Sequence, residues 1–337
     1  MGVASLDPLI RAALGDYSAW DIGRRIVPLE PIRFARFEAG EAPYPYPLQR
    51  HAWFALLGGE RGAITESRIW FLKFPLDENA HLATTVRDDF IAQLAELALT
   101  QSAEQRSPYG FKPKETIMAS FHARIRYHLD QPPSHFYPHA CDYLSGALGY
   151  DQWSFVGVQG LADIAARAAE PATLALISAA LPNLPAPPLQ ALCQGLEHER
   201  LPTPLAHSLE ALAHAELDHP RPDPERLAVL LRGLSASPDH HALRHALLER
   251  VMATPLIRQP ALLAAIASRC WQDLQSPRLA MGYVEALAAN SMGQPIFDQI
   301  MADLLFIPGM RRPLLDALRD PRRSDRLARA VGALLGG

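Results

Sequence analysis

The chain has 337 residues, of which 49% are hydrophobic and 20% are charged, and its formal net charge at pH 7 is −4. This composition is typical of a soluble globular protein, and the length allows roughly two domains. The charge lacks the positive excess of a dedicated nucleic-acid-binding protein. The apolar runs are far shorter than the ~18 residues that a membrane span needs.

The compartment is indicated by two further features. The N-terminal segment carries an acid at Asp7 and lacks the continuous apolar core of a secretory signal. Cys141, Cys193 and Cys270 are far apart and form no CxxC pair. Both features favour a cytoplasmic protein with buried thiols.

The first half mixes strand and helix patterns. A strand is predicted from Trp20 to Val27, closed by Pro28 and Pro31, and "IRFARFE" is predicted to be a short helix. "HAWFALL" and "SRIWFLKF" read as an antiparallel hairpin around "GGERGAITE". Ile69 to Phe74 is apolar on both sides, which favours a central strand covered on both faces. Strands are expected only before about residue 80, with helices packed on the sheet.

The segment after this strand is rich in charge. Lys73 invites comparison with the strand lysine of protein kinases, but no GxGxxG, HRD or DFG pattern accompanies it. We expect Lys73 or Arg87 to contact Asp77 or Glu78, because a charge beside an apolar strand needs a partner. Thr85 and Asp88 fit a capping box before Phe90. A metal site built from Asp77, Glu78, Asp88 and Asp89 is the less favoured interpretation.

From about Phe155 onward the pattern is helical, with apolar residues at i, i+3, i+4 and i+7. Prolines punctuate it, and Pro171, Pro204, Pro238 and Pro277 are separated by 33, 34 and 39 residues. A helix pair about every 35–45 residues is the period of HEAT-like solenoids. The sequence therefore predicts an α+β domain over 1–155 and an all-α domain over 156–337. A HEAT-like solenoid is favoured for the latter, and an irregular helical bundle is the alternative.

Histidines and glycines offer weaker motifs. His135 and His139 are four residues apart, as zinc ligands can be, but no HExxH accompanies them. Surface positions are expected for these histidines and for a second group, His240, His241 and His245. Gly157 and Gly160 favour close helix packing over an RNA-clamping GxxG loop, which would need basic neighbours. No metal or cofactor is predicted.

The last helices are rich in arginine. The seven arginines of this group are Arg311, Arg312, Arg319, Arg322, Arg323, Arg326 and Arg329. Three acids, Asp316, Asp320 and Asp325, lie between them. A solvated face with local ion pairs is the favoured interpretation. The alternative is a docking patch for an acidic protein or RNA.

Several stretches resemble an uncharacterised bacterial family known as a domain of unknown function, over nearly the whole chain. They are "WDIGRR", "YPYPLQRHAW", "IWFLKFPLDE", "RDDF", "YGFKPKE", "FHA" and "VGVQGLAD". The resemblance transfers no catalytic residue, but it implies that the polar groups of these stretches share one surface or one buried network. The candidate network comprises Asp21, Arg24, Arg25, Lys73, Asp77, Glu78, Arg87, Lys112 and Lys114.

Three functions remain open from the sequence. The favoured one is a non-enzymatic protein–protein interaction or adaptor protein, because solenoids offer extended binding surfaces. The second is an RNA-associated accessory protein that uses the C-terminal arginines. The third is an enzyme with a polar site around Lys73, Asp77 and Arg87.

Overall fold

The structure is a computed structural model that describes residues 5–59, 69–100 and 107–336. For residues 95–100 it describes the backbone alone. The chain divides into two compact units. The N-terminal unit is Met1–Ile117 with Phe306–Pro308, and the helical unit is Met118–Leu305 with Gly309–Gly337. The sequence placed this boundary at 155–156. The break in packing falls earlier because the helices between 118 and 155 pack with those that follow them.

The N-terminal unit is built around a four-stranded antiparallel sheet in the order β2-β1-β3-β4. The strands are β1 (Tyr17–Asp21), β2 (Val27–Pro28), β3 (His51–Gly58) and β4 (Ile69–Pro75), and the helices are α1 (Asp7–Leu14), α2 (Pro31–Glu38) and α3 (Thr84–Thr100). All strands of the described chain lie before residue 80, and β3 pairs with β4 as the hairpin prediction requires. The greater part of its predicted turn, residues 60–66, lies outside the described residues.

The predicted central position of β4 is wrong. β3 is central and largely buried, whereas β4 is the last strand of the sheet and is only partly buried. Its outer edge is covered by the segment at residues 109–111. The amide of Lys73 donates to the carbonyl of Tyr109 over 2.8 Å, and the amide of Phe111 donates to the carbonyl of Phe71 over 3.1 Å. An apolar edge strand covered in this way does not expose a row of unpaired backbone N–H and C=O groups.

The first predicted strand is also misplaced. β1 runs from Tyr17 to Asp21, whereas the sequence had placed a strand from Trp20 to Val27. The carboxylate of Asp21 accepts the backbone N–H of Arg25 over 2.9 Å, which turns the chain. Pro28 then lies opposite Trp20 in the edge strand β2, where a missing N–H is tolerated.

Aromatic side chains fill the core of the N-terminal unit. Phe54 of β3 lies at its centre, with its ring centroid 5.5 Å from Phe34 and 5.1 Å from Phe74, in edge-to-face geometry. The ring of Phe37 lies 5.0 Å from that of Tyr44, tilted by 59°. Helix α2 thus packs its apolar face against β3.

The helical unit contains thirteen α-helices in the described chain. They are α4 (Glu115–His128), α5 (Tyr137–Leu144), α6 (Val158–Ala166), α7 (Pro171–Ala180), α8 (Ala186–Leu196), α9 (Thr203–Leu217), α10 (Pro224–Leu234), α11 (His241–Met252), α12 (Pro260–Arg269), α13 (Pro277–Ala288), α14 (Gln294–Phe306), α15 (Arg311–Arg319) and α16 (Asp325–Gly336). The interval prolines Pro171, Pro204 and Pro277 lie in first turns of α-helices, and Pro238 begins a short 3-10 helix. Proline is tolerated there because a first-turn N–H has no partner within the helix.

Helices two apart in sequence pack on one another. The odd-numbered helices from α5 to α15 follow this order, as do the even-numbered helices from α6 to α12. Close approach is allowed by glycine: a Cβ at Gly195 of α8 would lie 2.5 Å from that of Ala165, and one at Gly160 of α6 would lie 2.9 Å from that of Ala140. A small antiparallel sheet followed by a helical array or bundle is confirmed. The finer HEAT-like regularity stays a prediction.

None of the helices in the described ranges is long and apolar enough to cross a lipid bilayer.

Candidate functional site

The first part of the predicted polar network is a buried turn. Asp21 is fully buried, and its carboxylate also accepts the hydroxyl of Tyr44 over 2.7 Å. Arg24 is fully buried and donates from Nε to the carbonyl of Pro47 over 2.6 Å, and Arg25 is buried beside it. These groups hold the segment between β1 and β2 against the chain before β3.

Burial changes the ionisation of Asp21. Loss of hydration raises the pKa of its carboxyl to about 7, although the N–H of Arg25 and the hydroxyl of Tyr44 oppose the shift. The folded protein therefore holds a proton on Asp21 in a pH range where the unfolded chain releases it. The resulting stabilisation is complete below the unfolded pKa near 4 and is lost as the pH rises towards 7.

Asp21→Asn is expected to flatten the dependence of unfolding free energy on pH between about 4 and 7. The slope lost should be at most about 1.4 kcal/mol per pH unit, since one proton is involved. Urea unfolding at several pH values measures it. Asp16→Asn is the matched control, because Asp16 is exposed, and an unchanged slope in Asp21→Asn would contradict the assignment.

Two other residues of the candidate network, Lys73 and Arg87, have contacts of their own. The Lys73 ammonium lies 4.3 Å from the ring centroid of Trp53, a cation–π contact. Arg87 pairs with Asp88 at 2.9 Å, so the predicted contact of Lys73 or Arg87 with Asp77 or Glu78 is wrong. A neighbouring carboxylate and an aromatic face satisfy the two cations instead.

Asp77 has a structural role of its own. Its carboxylate accepts the backbone N–H groups of Asn79 over 2.9 Å and His81 over 2.8 Å, which closes the turn after β4. The predicted capping box fails because α3 begins at Thr84, so Thr85 already lies in its first turn. The exposed network residues are Glu78, Lys112 and Lys114.

Buried ion pairs connect the even-numbered helices. Glu197, at the end of α8, accepts Arg232 of α10 at 2.7 Å and lies 2.8 Å from Nε of Arg269 of α12. Nearby, Arg124 of α4 pairs with Glu199 at 3.0 Å and also donates to the carbonyl of His198. Both acids lie in the segment that follows α8, so these pairs connect that segment to α4, α10 and α12.

The predicted arginine patch is a real feature of the surface. We call its exposed members the arginine surface; they are Arg311, Arg312, Arg319, Arg322, Arg326 and Arg329. Arg323 is half-buried and donates to the carbonyl of Leu318 over 2.7 Å, which caps α15. Arg322 holds Asp320 with two bonds of 2.7 and 3.0 Å, and this holds the pKa of Asp320 near 2.

Two grooves border α13 beside the arginine surface. The first has a volume of about 920 Å³ and lies between α13 and α15, with Arg278, Arg312 and Arg322 among its lining residues. The second has a volume of about 630 Å³ and is lined in part by Arg258 and Arg326. Gly282 lines both grooves. Concave surface and positive charge therefore coincide at this end of the helical unit.

A histidine cluster was missed from the sequence. Nε2 of His245 lies 3.2 Å, and Nε2 of His241 lies 3.8 Å, from one carboxylate oxygen of Asp273. The i,i+4 spacing of the histidines was visible, but Asp273 comes from a 3-10 helix beyond α12, which no local pattern indicates. His135 and His139 are exposed.

Comparison with known proteins identifies a family. The family model described as a protein of unknown function (DUF3549) matches residues 2–335. No curated protein and no solved structure matches the chain. The chain therefore belongs to the family DUF3549, as the resemblance of its motifs indicated.

Proposed function

We propose that the protein is a non-enzymatic interaction protein whose helical unit holds an acidic segment of a partner protein on the arginine surface. The observation that carries the proposal is the coincidence of the two grooves around α13 with exposed arginines. Within the arginine surface, Arg312 and Arg322 form ion pairs. The other four arginines, Arg311, Arg319, Arg326 and Arg329, form none with a carboxylate of the described residues. These guanidinium groups can donate bidentate hydrogen bonds to carboxylates.

The arginines that already form ion pairs can also take part in binding an acidic segment. Arg312 lies 3.9 Å from Asp316, and Arg278 lies 3.3 Å from Glu249, with both guanidinium groups largely exposed. Exposed pairs of this kind contribute only about 0–1 kcal/mol, so a partner carboxylate can replace the internal one at little cost.

A protein partner is favoured over RNA by the lining of the larger groove. It contains Met281, Pro277 and Pro313 but no aromatic ring on which a base could stack. Asp316 and Asp320 also lie on it and would repel phosphates. Carboxylates spaced along a peptide can avoid these two acids, whereas the continuous phosphates of RNA cannot.

The enzyme alternative has less support. Lys73 lies on Trp53, Arg87 pairs with Asp88, and Asp77 closes a turn. Each of the three therefore has a structural contact of its own.

Replacing Arg311, Arg319, Arg326 and Arg329 with glutamine is expected to abolish partner binding while leaving the melting temperature nearly unchanged. Charge carries the binding, and surface substitutions rarely change stability by more than about 0.5 kcal/mol. The partner captured from the producing cells is identified by mass spectrometry, and its affinity for both proteins is then measured at two salt concentrations.

The matched control replaces four exposed arginines elsewhere, Arg33, Arg36, Arg200 and Arg221, with glutamine. It changes net charge equally and should bind normally. Competition with poly-glutamate should release the partner. If the control loses binding as well, or if poly(U) RNA competes better than poly-glutamate, the acidic-segment proposal is wrong.

A further inference from the structure

The strongest unassigned feature is the cluster at the start of α11. His241 and His245 are one helical turn apart, and the carboxylate of Asp273 faces both. One ring nitrogen from each histidine and one oxygen from Asp273 all lie within 4.8 Å of one another. Asp273 is only 1% exposed, whereas the His241 side chain is 58% exposed and leaves the cluster open to solvent.

The distances suit a metal ion. Bonds of about 2.0–2.2 Å in tetrahedral geometry place neighbouring ligand atoms roughly 3.3–3.6 Å apart. The two distances from Asp273, 3.2 and 3.8 Å, lie close to this spacing. Small side-chain rotations about the exposed His241 would complete it.

The buried nitrogen of His245 supports the same conclusion. Nε2 of His245 is buried, and it has no hydrogen-bond partner among the described residues, although it lies 3.2 Å from Asp273. The contact is close but misaligned for a hydrogen bond. Two lone pairs directed at a shared cation would have this arrangement.

Arg244 positions the carboxylate. It donates to both oxygens of Asp273, from Nε over 2.6 Å and from Nη2 over 2.9 Å, and from Nη1 to the carbonyl of Ser237 over 2.9 Å. Second partners of this kind orient metal ligands. The guanidinium and the N-terminus of α11 are positive, so they weaken a purely electrostatic cation site. Only a metal with a strong preference for imidazole overcomes this.

We propose that His241, His245 and Asp273 form a site for a divalent transition metal of the zinc class, with a fourth position open to solvent. Imidazole nitrogen with one carboxylate is a ligand set suited to zinc, whereas Mg²⁺ prefers oxygen ligands and near-octahedral geometry. The site uses none of the residues of the arginine surface, and it does not depend on the proposed partner binding.

Isothermal titration calorimetry of Zn²⁺ into the chelator-treated protein tests the proposal. The wild type should bind one equivalent of Zn²⁺, and His241→Gln and His245→Gln should each lose that binding step. His139→Gln should retain it, because His139 is an exposed histidine on α5 outside the cluster. Mg²⁺ in large excess should not displace Zn²⁺.

Melting curves in the absence of metal confirm that the variants remain folded. This is expected because glutamine keeps the polarity of two histidines that are not fully buried. Wild type that binds no zinc, or zinc binding that survives in folded His241→Gln and His245→Gln, would overturn the site. Equal competition by Mg²⁺ would overturn ligation by imidazole.

Discussion

Replacing Glu197 with glutamine should lower the free energy of unfolding by about 3–5 kcal/mol, the cost of breaking a buried ion pair from one side. Glu197 is 2% exposed and pairs with Arg232 of α10 and Arg269 of α12. Glutamine keeps the size of the side chain but removes its charge. Two partly buried guanidinium groups would then lack their carboxylate.

The pH dependence of stability provides a second readout. Burial by itself raises the pKa of Glu197, but Arg269 and Arg232 outweigh it and lower the pKa to about 2. A lowered pKa means that the carboxylate stabilises the fold above about pH 4.5 and that this contribution is lost as the pH falls towards 2. The difference in stability between wild type and Glu197→Gln should therefore shrink in acid.

Glu225→Gln is the control, because Glu225 is exposed at the start of α10. It should change the unfolding free energy by less than about 0.5 kcal/mol. Denaturant unfolding of wild type, Glu197→Gln and Glu225→Gln at pH 7 and pH 3 measures these differences in unfolding free energy. A loss below about 1 kcal/mol at pH 7 would show that water or a neighbouring acid replaces the carboxylate.

Glu197 also shows what one sequence could and could not predict. The helices were predictable because proline in a first turn and apolar residues at helical spacing are local signals. The pairing of Glu197 with Arg232 spans 35 residues, and that of Arg244 with Asp273 spans 29. No local pattern selects one of many acids as the partner of one of many arginines.

The errors in the N-terminal unit have the same cause. Hydrophobic pattern predicted two strands that pair, but the order of strands depends on long-range packing, so β4 was taken as central. The turn after Asp21 was missed because its carboxylate bonds to the backbone of Arg25, and apolar Ile22 and Ile26 extend the strand-like pattern through it. The arginine surface was recognised because its charge is dense within a short segment.

Phe54→Ala should destabilise the N-terminal unit by about 3–5 kcal/mol, since it opens a cavity in the centre of the aromatic core. The Phe54 ring is 1% exposed. Four rings surround it, with centroids at 5.1 Å for Phe74, 5.5 Å for Phe34, and 6.4 Å for both Phe37 and Tyr44. Edge-to-face pairs add about 0.5–1.5 kcal/mol beyond the area they bury, so several favourable contacts vanish together.

The loss of stability in Phe54→Ala should be observed in the sheet of the N-terminal unit. Amide hydrogen exchange of β1 and β3 should accelerate in Phe54→Ala, because opening of this unit becomes less costly. Ile32→Ala on α2 is the control: Ile32 is 71% exposed, and its removal should leave exchange in β1 and β3 unchanged. If Phe54→Ala also leaves that exchange unchanged, the rings around Phe54 do not form the packing centre of the unit. If exchange accelerates equally in α8 and α10, the N-terminal unit does not open independently of the helical unit.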